Sequence, residues 1–227
     1  MRLDKYIADQ TPHSRQQVRA LLRRGRVTVD GVVARDPAQH IQPEQVVKLA
    51  GEVIREIGLQ YWMVHKPAGY VSATKDREHA VVSSLIPMEI PDLHVAGRLD
   101  RDVTGLVILT NDGAWSHRLT SPRHDCAKRY RVTTLEPIPD AAVEAFANGI
   151  LLHNENQTTK PAKLEIHSQH QATLWLTEGR FHQVKRMFIS QGCKVVALHR
   201  DRIGEIELDI AEGESRKLTA TEIASVP

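Results

Sequence analysis

The sequence is short of several things, and each shortage removes a class of function. Aromatic residues make up only 4% of the 227 positions, and there are only two cysteines, Cys126 and Cys193. Two distant cysteines without a second Cys or a His three residues away make neither a disulfide framework nor a metal-ligand pattern, so both are expected to be reduced. No run approaches the ~18 continuous apolar residues of a membrane helix, so no membrane partner is expected. Met1-Arg2-Leu3-Asp4-Lys5-Tyr6 brings an early acid and no apolar stretch, unlike a secretory signal, and a cytoplasmic location is expected. Neither G-x-x-x-x-G-K-[ST] nor G-x-G-x-x-G is present, which leaves a nucleotide cofactor without support. G-x-S-x-G is absent, and the twelve histidines include no H-x-x-x-H pair. The expectation is an activity with no cofactor and no metal. Isomerisation fits, because it needs neither electrons nor a group donor.

What is present is unevenly distributed charge. The net charge is only +2, yet residues 1–35 hold eight Lys/Arg against three acids. A second basic run covers Arg118, Arg123, Lys128, Arg129 and Arg131. A third covers Arg180, Lys185, Arg186, Lys194, Arg200 and Arg202. Acids gather at Glu205, Glu207, Asp209, Glu212 and Glu214. Segregation of this kind creates local positive fields that suit nucleic acid, although any one run reads equally as solvated surface.

Periodicity divides the chain in two. Leu3 and Ile7 mark a short amphipathic helix. Ser14 with Gln17 forms a capping-box pattern for a second helix to about Arg24, with Val18, Leu21 and Leu22 on one face and Arg15, Arg19 and Arg23 on another. Gly25 is a natural stop. Val27–Val29, Asp30-Gly31 and Val32-Val33 read as a hairpin. Residues 50–60 read as a linker. Beyond it come apolar strands at Tyr61–Val64, Leu106–Leu109, Tyr130–Thr133, Ala162–Ile166, Ala172–Leu176, Val195–Leu198 and Ile206–Ile210. Asn111-Asp112-Gly113 closes the second of these. Helices are expected at Ala141–Asn148, between Gly179 and Gly192, and after the Thr219-x-x-Glu222 cap. Many strands with few helices between them predict an α+β fold with a mixed, mainly antiparallel sheet and flanking helices. The domains are expected at 1–57 and 58–227.

Five short strings carry the candidate chemistry. Gly97-Arg98-Leu99-Asp100-Arg101-Asp102-Val103-Thr104-Gly105 runs into a buried strand. The residues alone allow either a cleft-edge carboxylate or a structural Arg–Asp turn. In Lys128-Arg129-Tyr130-Arg131-Val132 a tyrosine alternates with cations. It reads either as a stacking platform beside phosphate-binding groups or as a core residue. In Glu178-Gly179-Arg180-Phe181-His182-Gln183-Val184-Lys185-Arg186-Met187-Phe188, Val184, Met187 and Phe188 form a core face, and Lys185 and Arg186 lie off it. Lys66-Pro67-Ala68-Gly69-Tyr70 and Leu198-His199-Arg200-Asp201-Arg202-Ile203-Gly204 complete the set.

In order and spacing these strings resemble the RsuA-type pseudouridine synthases, and the first fifty residues resemble the S4 RNA-binding domain. The resemblance covers nearly the whole chain and is nearest to the small-subunit ribosomal RNA branch. It implies that Asp100, not Asp102, is the catalytic carboxylate, that Tyr130 stacks on the target uracil, and that Lys185 pairs with Asp100. It implies RNA-binding roles for Arg15, Arg19, Arg23, Lys66, Arg98, Arg180, His182 and Gln183, with Arg98 filling the space that the flipped base leaves. The sequence departs from the family pattern at Val103, where Ser or Thr is usual. The implied activity is conversion of one uridine of 16S ribosomal RNA, free or in a small-subunit assembly intermediate, by an enzyme expected to be monomeric. A large-subunit ribosomal RNA synthase of the same superfamily and a non-catalytic S4-type ribosome-associated binder are the alternatives. The trio Asp100, Tyr130 and Lys185 speaks against the binder.

Overall fold

The computed structural model describes residues 1–54, 56–121 and 124–227. Arg123 of the second basic run lies outside them. The chain forms two compact units, residues 1–60 with 87–93, and residues 61–86 with 94–227.

The first unit begins with α1 (Leu3–Gln10) and α2 (Arg15–Arg23). The start of α2 is fixed by the expected capping box. Ser14 Oγ accepts from the Gln17 amide at 3.3 Å, and Gln17 Oε1 accepts from the Ser14 amide at 2.8 Å. Four strands follow: β1 (Val27–Val29), β2 (Val32–Val33), β3 (Val47–Leu49) and β4 (Glu52–Val53), in the order β2-β1-β3-β4. Asp30 and Gly31 both take positive φ, 49° and 83°, the turn that joins β1 to β2 with the right twist. Ala50 and Gly51 repeat the device at 52° and 93° and join β3 to β4. Residues 50–60 are therefore not all linker, since 52–53 are paired strand and Ile54 is buried in the core. An alanine in the left-handed position hides this turn from a sequence reading. Leu3, Ile7, Val18, Leu22, Val27 and Val47 make the core, each no more than 1% exposed.

The second unit is built on a nine-stranded sheet. Its strands are β5 (Tyr61–Lys66), β6 (His94–Ala96), β7 (Thr104–Thr110), β8 (Lys128–Thr134), β9 (Lys163–Ser168), β10 (Gln171–Leu176), β11 (Val195–Ile203), β12 (Ile206–Glu207) and β13 (Ser215–Lys217). The order is β13-β5-β7-β11-β8-β10-β9, with β6 on β7 and β12 on β11. Among the described strands only β7 and β11 pair in parallel, so the sheet is mixed and mainly antiparallel, as expected. That pairing is close. A Cβ added at Gly105, whose φ is +115°, would meet the Arg200 carbonyl oxygen at 2.2 Å. Glycine is required there.

The helices are α3 (Gly113–Thr120), α4 (Ala141–Asn148), α5 (Gln183–Ser190) and α6 (Ala220–Ala224). α4 and the Thr219–Glu222 capping box of α6 match expectation. Three features differ. Asn111-Asp112-Gly113 is more than a strand stop, because Asp112 caps α3 by accepting from the Trp115 amide at 3.0 Å, and Tyr61 Oη holds its other oxygen at 2.7 Å. β11 continues five residues past Leu198, through charged residues whose partners lie on neighbouring strands. α5 begins at Gln183 and not just after Gly179, because His182 takes a left-handed φ of 49°. Among the described residues no helix is long and apolar enough to cross a membrane.

Candidate active site

Asp100 lies in the loop 97–103 between β6 and β7. The loop is held by its alternate carbonyls. Arg200 Nη2 donates to Gly97 O at 2.6 Å, and Ser72 Oγ donates to Leu99 O at 2.7 Å. The Lys66 ammonium donates to Arg101 O at 3.1 Å, to Val103 O at 2.7 Å and to Pro67 O at 2.9 Å. The Gly69 amide also reaches Arg101 O, at 2.8 Å. With the odd-numbered carbonyls tied inward, Leu99 and Val103 are buried, while Arg98, Asp100 and Asp102 are left outside the core. Val103 therefore needs no hydroxyl to support the loop. Its side chain is 1% exposed and its carbonyl does the anchoring. The adjacent Thr104 hydroxyl is engaged at 2.8 Å with Nδ1 of His199. Burial, and then the neighbouring His65 ring, hold His199 below the ordinary histidine range.

The loop forms one wall of an open cleft of roughly 850 Å³. Asp100, Arg98, Tyr130, His182 and Lys185 all line it. Lys185 Nζ lies 3.2 Å from Asp100 Oδ2, as expected, and 2.8 Å from Asp102 Oδ1. It thus bridges two carboxylates, and Asp102, which the sequence reading set aside, is part of the arrangement. Burial works against the Lys185 ammonium, but hydrogen bonds and charge from Asp102 and Asp100 outweigh it and hold its pKa above the usual lysine value. The same Lys185 hydrogen bond holds the Asp102 carboxyl below its ordinary range. His182 Nε2 lies 3.4 Å from Asp100 Oδ1, and its ring stacks on Phe181 with centroids 3.8 Å apart. Phe181 is 77% exposed at the cleft, a residue that sequence reasoning missed. The left-handed backbone at His182 is a mild strain of the kind that gathers at functional sites.

Tyr130 is 8% exposed, and its Oη accepts from Arg200 Nη1 at 3.5 Å. Arg200 is a second missed residue. It is 2% exposed, lines the cleft, and also donates to Leu106 O at 2.8 and 3.0 Å. The signal was its place in the Leu198–Gly204 string. Alternation along β11 then puts it on the Tyr130 side of the sheet.

Three expected RNA contacts already have protein partners. Lys66 is fully buried, and burial pushes its pKa down to about 8 against the pull of Asp102 and Asp100. Its three bonds go to peptide carbonyls, so none is left for a phosphate. Arg180 is tied to Glu155, to Glu178 at 3.2 Å, and to the carbonyls of Gln157 and Thr158. Gln183 is 4% exposed, donates to Glu178 Oε1 at 2.8 Å and accepts from the Arg180 amide at 2.8 Å. These two brace the start of α5, which carries Lys185. In the first unit Arg15 and Arg23 are exposed, but Arg19 reaches buried Asp4 at 3.4 Å, beside the tighter Arg2–Asp4 pair at 2.9 Å. Elsewhere the basic runs are largely neutralised. Arg129 and Arg131 share Asp201 at 2.7 Å each, Arg186 pairs with Glu155, and Arg202 pairs with Glu205 at 2.6 Å. Both cysteines are free and buried. Among the described residues no group of three or more His, Cys, Asp and Glu could hold a metal ion.

Comparison with known proteins converges on one family. The family model described as RNA pseudouridylate synthase matches residues 60–190, and the S4 domain model matches residues 1–47. The chain is 50% identical over 230 residues to the ribosomal small subunit pseudouridine synthase A of Escherichia coli (strain K12), covering 100% of both. It is 48% identical over 230 residues to the protein of the same name from Yersinia pestis, covering 100% of this chain and 98% of the relative. A crystal structure of a pseudouridylate synthase superposes with a TM-score of 0.71 at 42% identity, covering 100% of each chain.

Proposed function

Since the chain belongs to the RNA pseudouridylate synthase family and is an isomerase, we propose that it converts one uridine of small-subunit (16S) ribosomal RNA to pseudouridine, with Asp100 as the catalytic carboxylate. The reaction breaks the N1–C1′ bond, turns the base and joins C5 to C1′. The proton on C5 is lost to solvent and N1 gains one, so the product is an isomer and no other reagent is consumed. A uridine stacked in a helix is out of reach and must be extruded, at a cost of a few kcal/mol. Stacking on Tyr130 and contacts to the backbone offset that cost. Arg98, exposed at the cleft, fills the gap left in the RNA stack. Asp100 acts on the ribose as nucleophile or base. Lys185 keeps a positive charge beside it, and Asp102 and His182 complete its polar surroundings.

One observation carries this reading. The Asp100 carboxylate faces an open cleft 3.2 Å from Lys185, on a loop whose carbonyls at 97, 99, 101 and 103 are all tied down. A pure RNA binder has no use for such rigidity around an acid. The first unit, carrying exposed Arg15 and Arg23, supplies affinity, and the second supplies chemistry. Acting on ribosomal RNA, free or in an assembly intermediate, the enzyme works in the cytoplasm as a monomer. The test uses ribosomal RNA labelled at uridine C5. Release of label from small-subunit RNA supports the proposal, and release only from large-subunit RNA reassigns the substrate. The Asp100→Asn protein, with unchanged melting, is expected to release none. Continued release by this variant would overturn the assignment of Asp100.

A further inference from the structure

The cations that line the cleft can be sorted by what already holds them. Arg180 is bound by Glu155, Glu178 and two carbonyls, Lys185 by Asp102 and Asp100, and Arg200 by two carbonyls and Tyr130. Arg98 and Arg101 are exposed, with their charge in water. Lys128 fits neither group. It is 7% exposed, it lines the cleft, and among the described residues its ammonium has no hydrogen-bond or ion-pair partner. Its strand neighbours are buried Leu176 on β10 and buried Ile203 on β11. The acids nearby are already committed. Glu178 accepts from Arg180, Gln183 and the Lys160 amide, and Asp125 pairs with Lys160 at 2.7 Å. Burial accordingly draws the Lys128 ammonium below the usual lysine range. Cys126 opposes that fall, Arg200 and Lys160 add to it, and Asp125 opposes it weakly.

A largely buried lysine whose ammonium meets the cleft without a counter-charge is a standing cost to the fold. Lys66 shows how the same fold satisfies a buried lysine whose purpose is structural, by giving it three carbonyls. Lys128 receives none. We propose that Lys128 is a substrate-binding residue whose ammonium receives a phosphate of the extruded nucleotide. The inference rests on the base-flipping reading above and deepens it. Lys128 and Tyr130 stand two residues apart on the same face of β8, which separates them by roughly 7 Å along the strand. A base stacked on the Tyr130 ring thus brings its own sugar–phosphate within reach of Lys128. A phosphate oxygen is the better partner than a uracil carbonyl, because only an anion compensates a desolvated cation. Phosphate and sugar groups also take most protein–nucleic acid hydrogen bonds.

The test is a double-mutant cycle on binding, in the Asp100→Asn background so that the RNA stays unreacted. Lys128→Met keeps the unbranched apolar stem and removes the charge. One RNA carries the target uridine with natural phosphates. Two others carry a neutral methylphosphonate on the 5′ or the 3′ side of that uridine. Lys128→Met is expected to weaken binding of the natural RNA roughly tenfold or more, the scale of one charged hydrogen bond. On one of the two methylphosphonate RNAs it should produce no further loss, and the salt slope of binding should fall by about one. Lys128→Met should melt at the same temperature as its parent or higher, because an apolar chain replaces a partly desolvated, unpaired charge. An equal loss on all three RNAs, no loss on the natural RNA, or a lower melting temperature would each overturn the proposal. Label release by the unmutated enzyme reads the parent proposal separately, since the cycle needs no turnover.

Discussion

Replacing Lys66 by methionine separates a structural lysine from a phosphate-binding one. The ammonium donates to the carbonyls of Pro67, Arg101 and Val103 at 2.9, 3.1 and 2.7 Å, with the side chain fully buried. Removing it deletes three charge-assisted hydrogen bonds, each worth about 1.5–3 kcal/mol, or about 6 kcal/mol together, and of the three acceptors Arg101 O keeps the Gly69 amide. Against this stands the relief of a desolvated charge. The fall of the Lys66 pKa from 10.5 to about 8 corresponds to roughly 3 kcal/mol of penalty on the charged form. The difference, about 3 kcal/mol, is the expected loss of stability, or ~6–12 °C in Tm for a chain of this size. The sign of the pH dependence follows from the same shift. Above about pH 8 the folded chain gives up the Lys66 proton, while the unfolded chain holds it to about 10.5. More protons on the unfolded state mean that stability rises with pH, so this group's penalty is relieved between about pH 8 and 10.5. Lys66→Met should lack that increment. Calorimetry of both proteins from pH 7 to 10.5 checks it, together with the salt dependence of RNA binding. A variant that melts like the parent and loses one unit of salt slope would refute the reasoning and restore Lys66 as a phosphate contact.

Three further outcomes test other charged groups of the chain. Glu222, paired with Arg216 at 2.7 Å and capping α6 through the Thr219 amide, has its pKa held down at about 2. Its contribution is full above about pH 4.5 and is lost as pH falls towards 2. Glu222→Gln should therefore cost about 2 kcal/mol at pH 7, a figure discounted for partial exposure, and acid titration of Tm should bring the two curves together only below about pH 2. Neutralising exposed Arg15 and Arg23 should weaken RNA binding and lower its salt slope by about two, leaving turnover at saturating RNA intact. Arg19→Met should change the slope less than either, because Arg19 already faces Asp4. A collapse of saturated turnover in the double variant would contradict the division between affinity and chemistry.

The local rules were legible in the sequence and the long-range ones were not. Ser14 with Gln17, Thr219 with Glu222, Asp30-Gly31 and Gly25 each act on residues within a few positions, and each does what its chemistry predicts. Asp100, Tyr130 and Lys185 were legible through motif order, and all three line one cleft. Lys66, Arg180 and Gln183 were read as RNA contacts because a cation or an amide inside a motif looks the same whether it faces solvent or a carbonyl. Their partners are Arg101 and Val103 for the first, and Glu155 and Glu178 for the others. Only the sheet brings β5 to the loop before β7, and nothing in a linear pattern announces it. The Ala50-Gly51 turn was hidden for the opposite reason, because its chemistry is local but its residue is atypical.

These misreadings share a cause, and the cause says how the cleft works. A net charge of +2 divides into three populations of cation that the sequence cannot tell apart. Carboxylate-bound arginines such as Arg129, Arg131 and Arg186 are neutralised in place and add little field. Carbonyl-bound cations, Lys66 and Arg200, hold the catalytic loop from behind without placing a negative charge near Asp100. A carboxylate in their place would repel the acid that the loop exists to present, whereas a peptide dipole is neutral overall. Among the described cations of the cleft, the third population, Arg98, Arg101 and Lys128, remains for RNA, and in the first unit exposed Arg15 and Arg23 join it. The basic runs therefore overstate the binding surface. The salt slope of binding by the whole chain should reflect this smaller set, well below what its Lys and Arg count suggests.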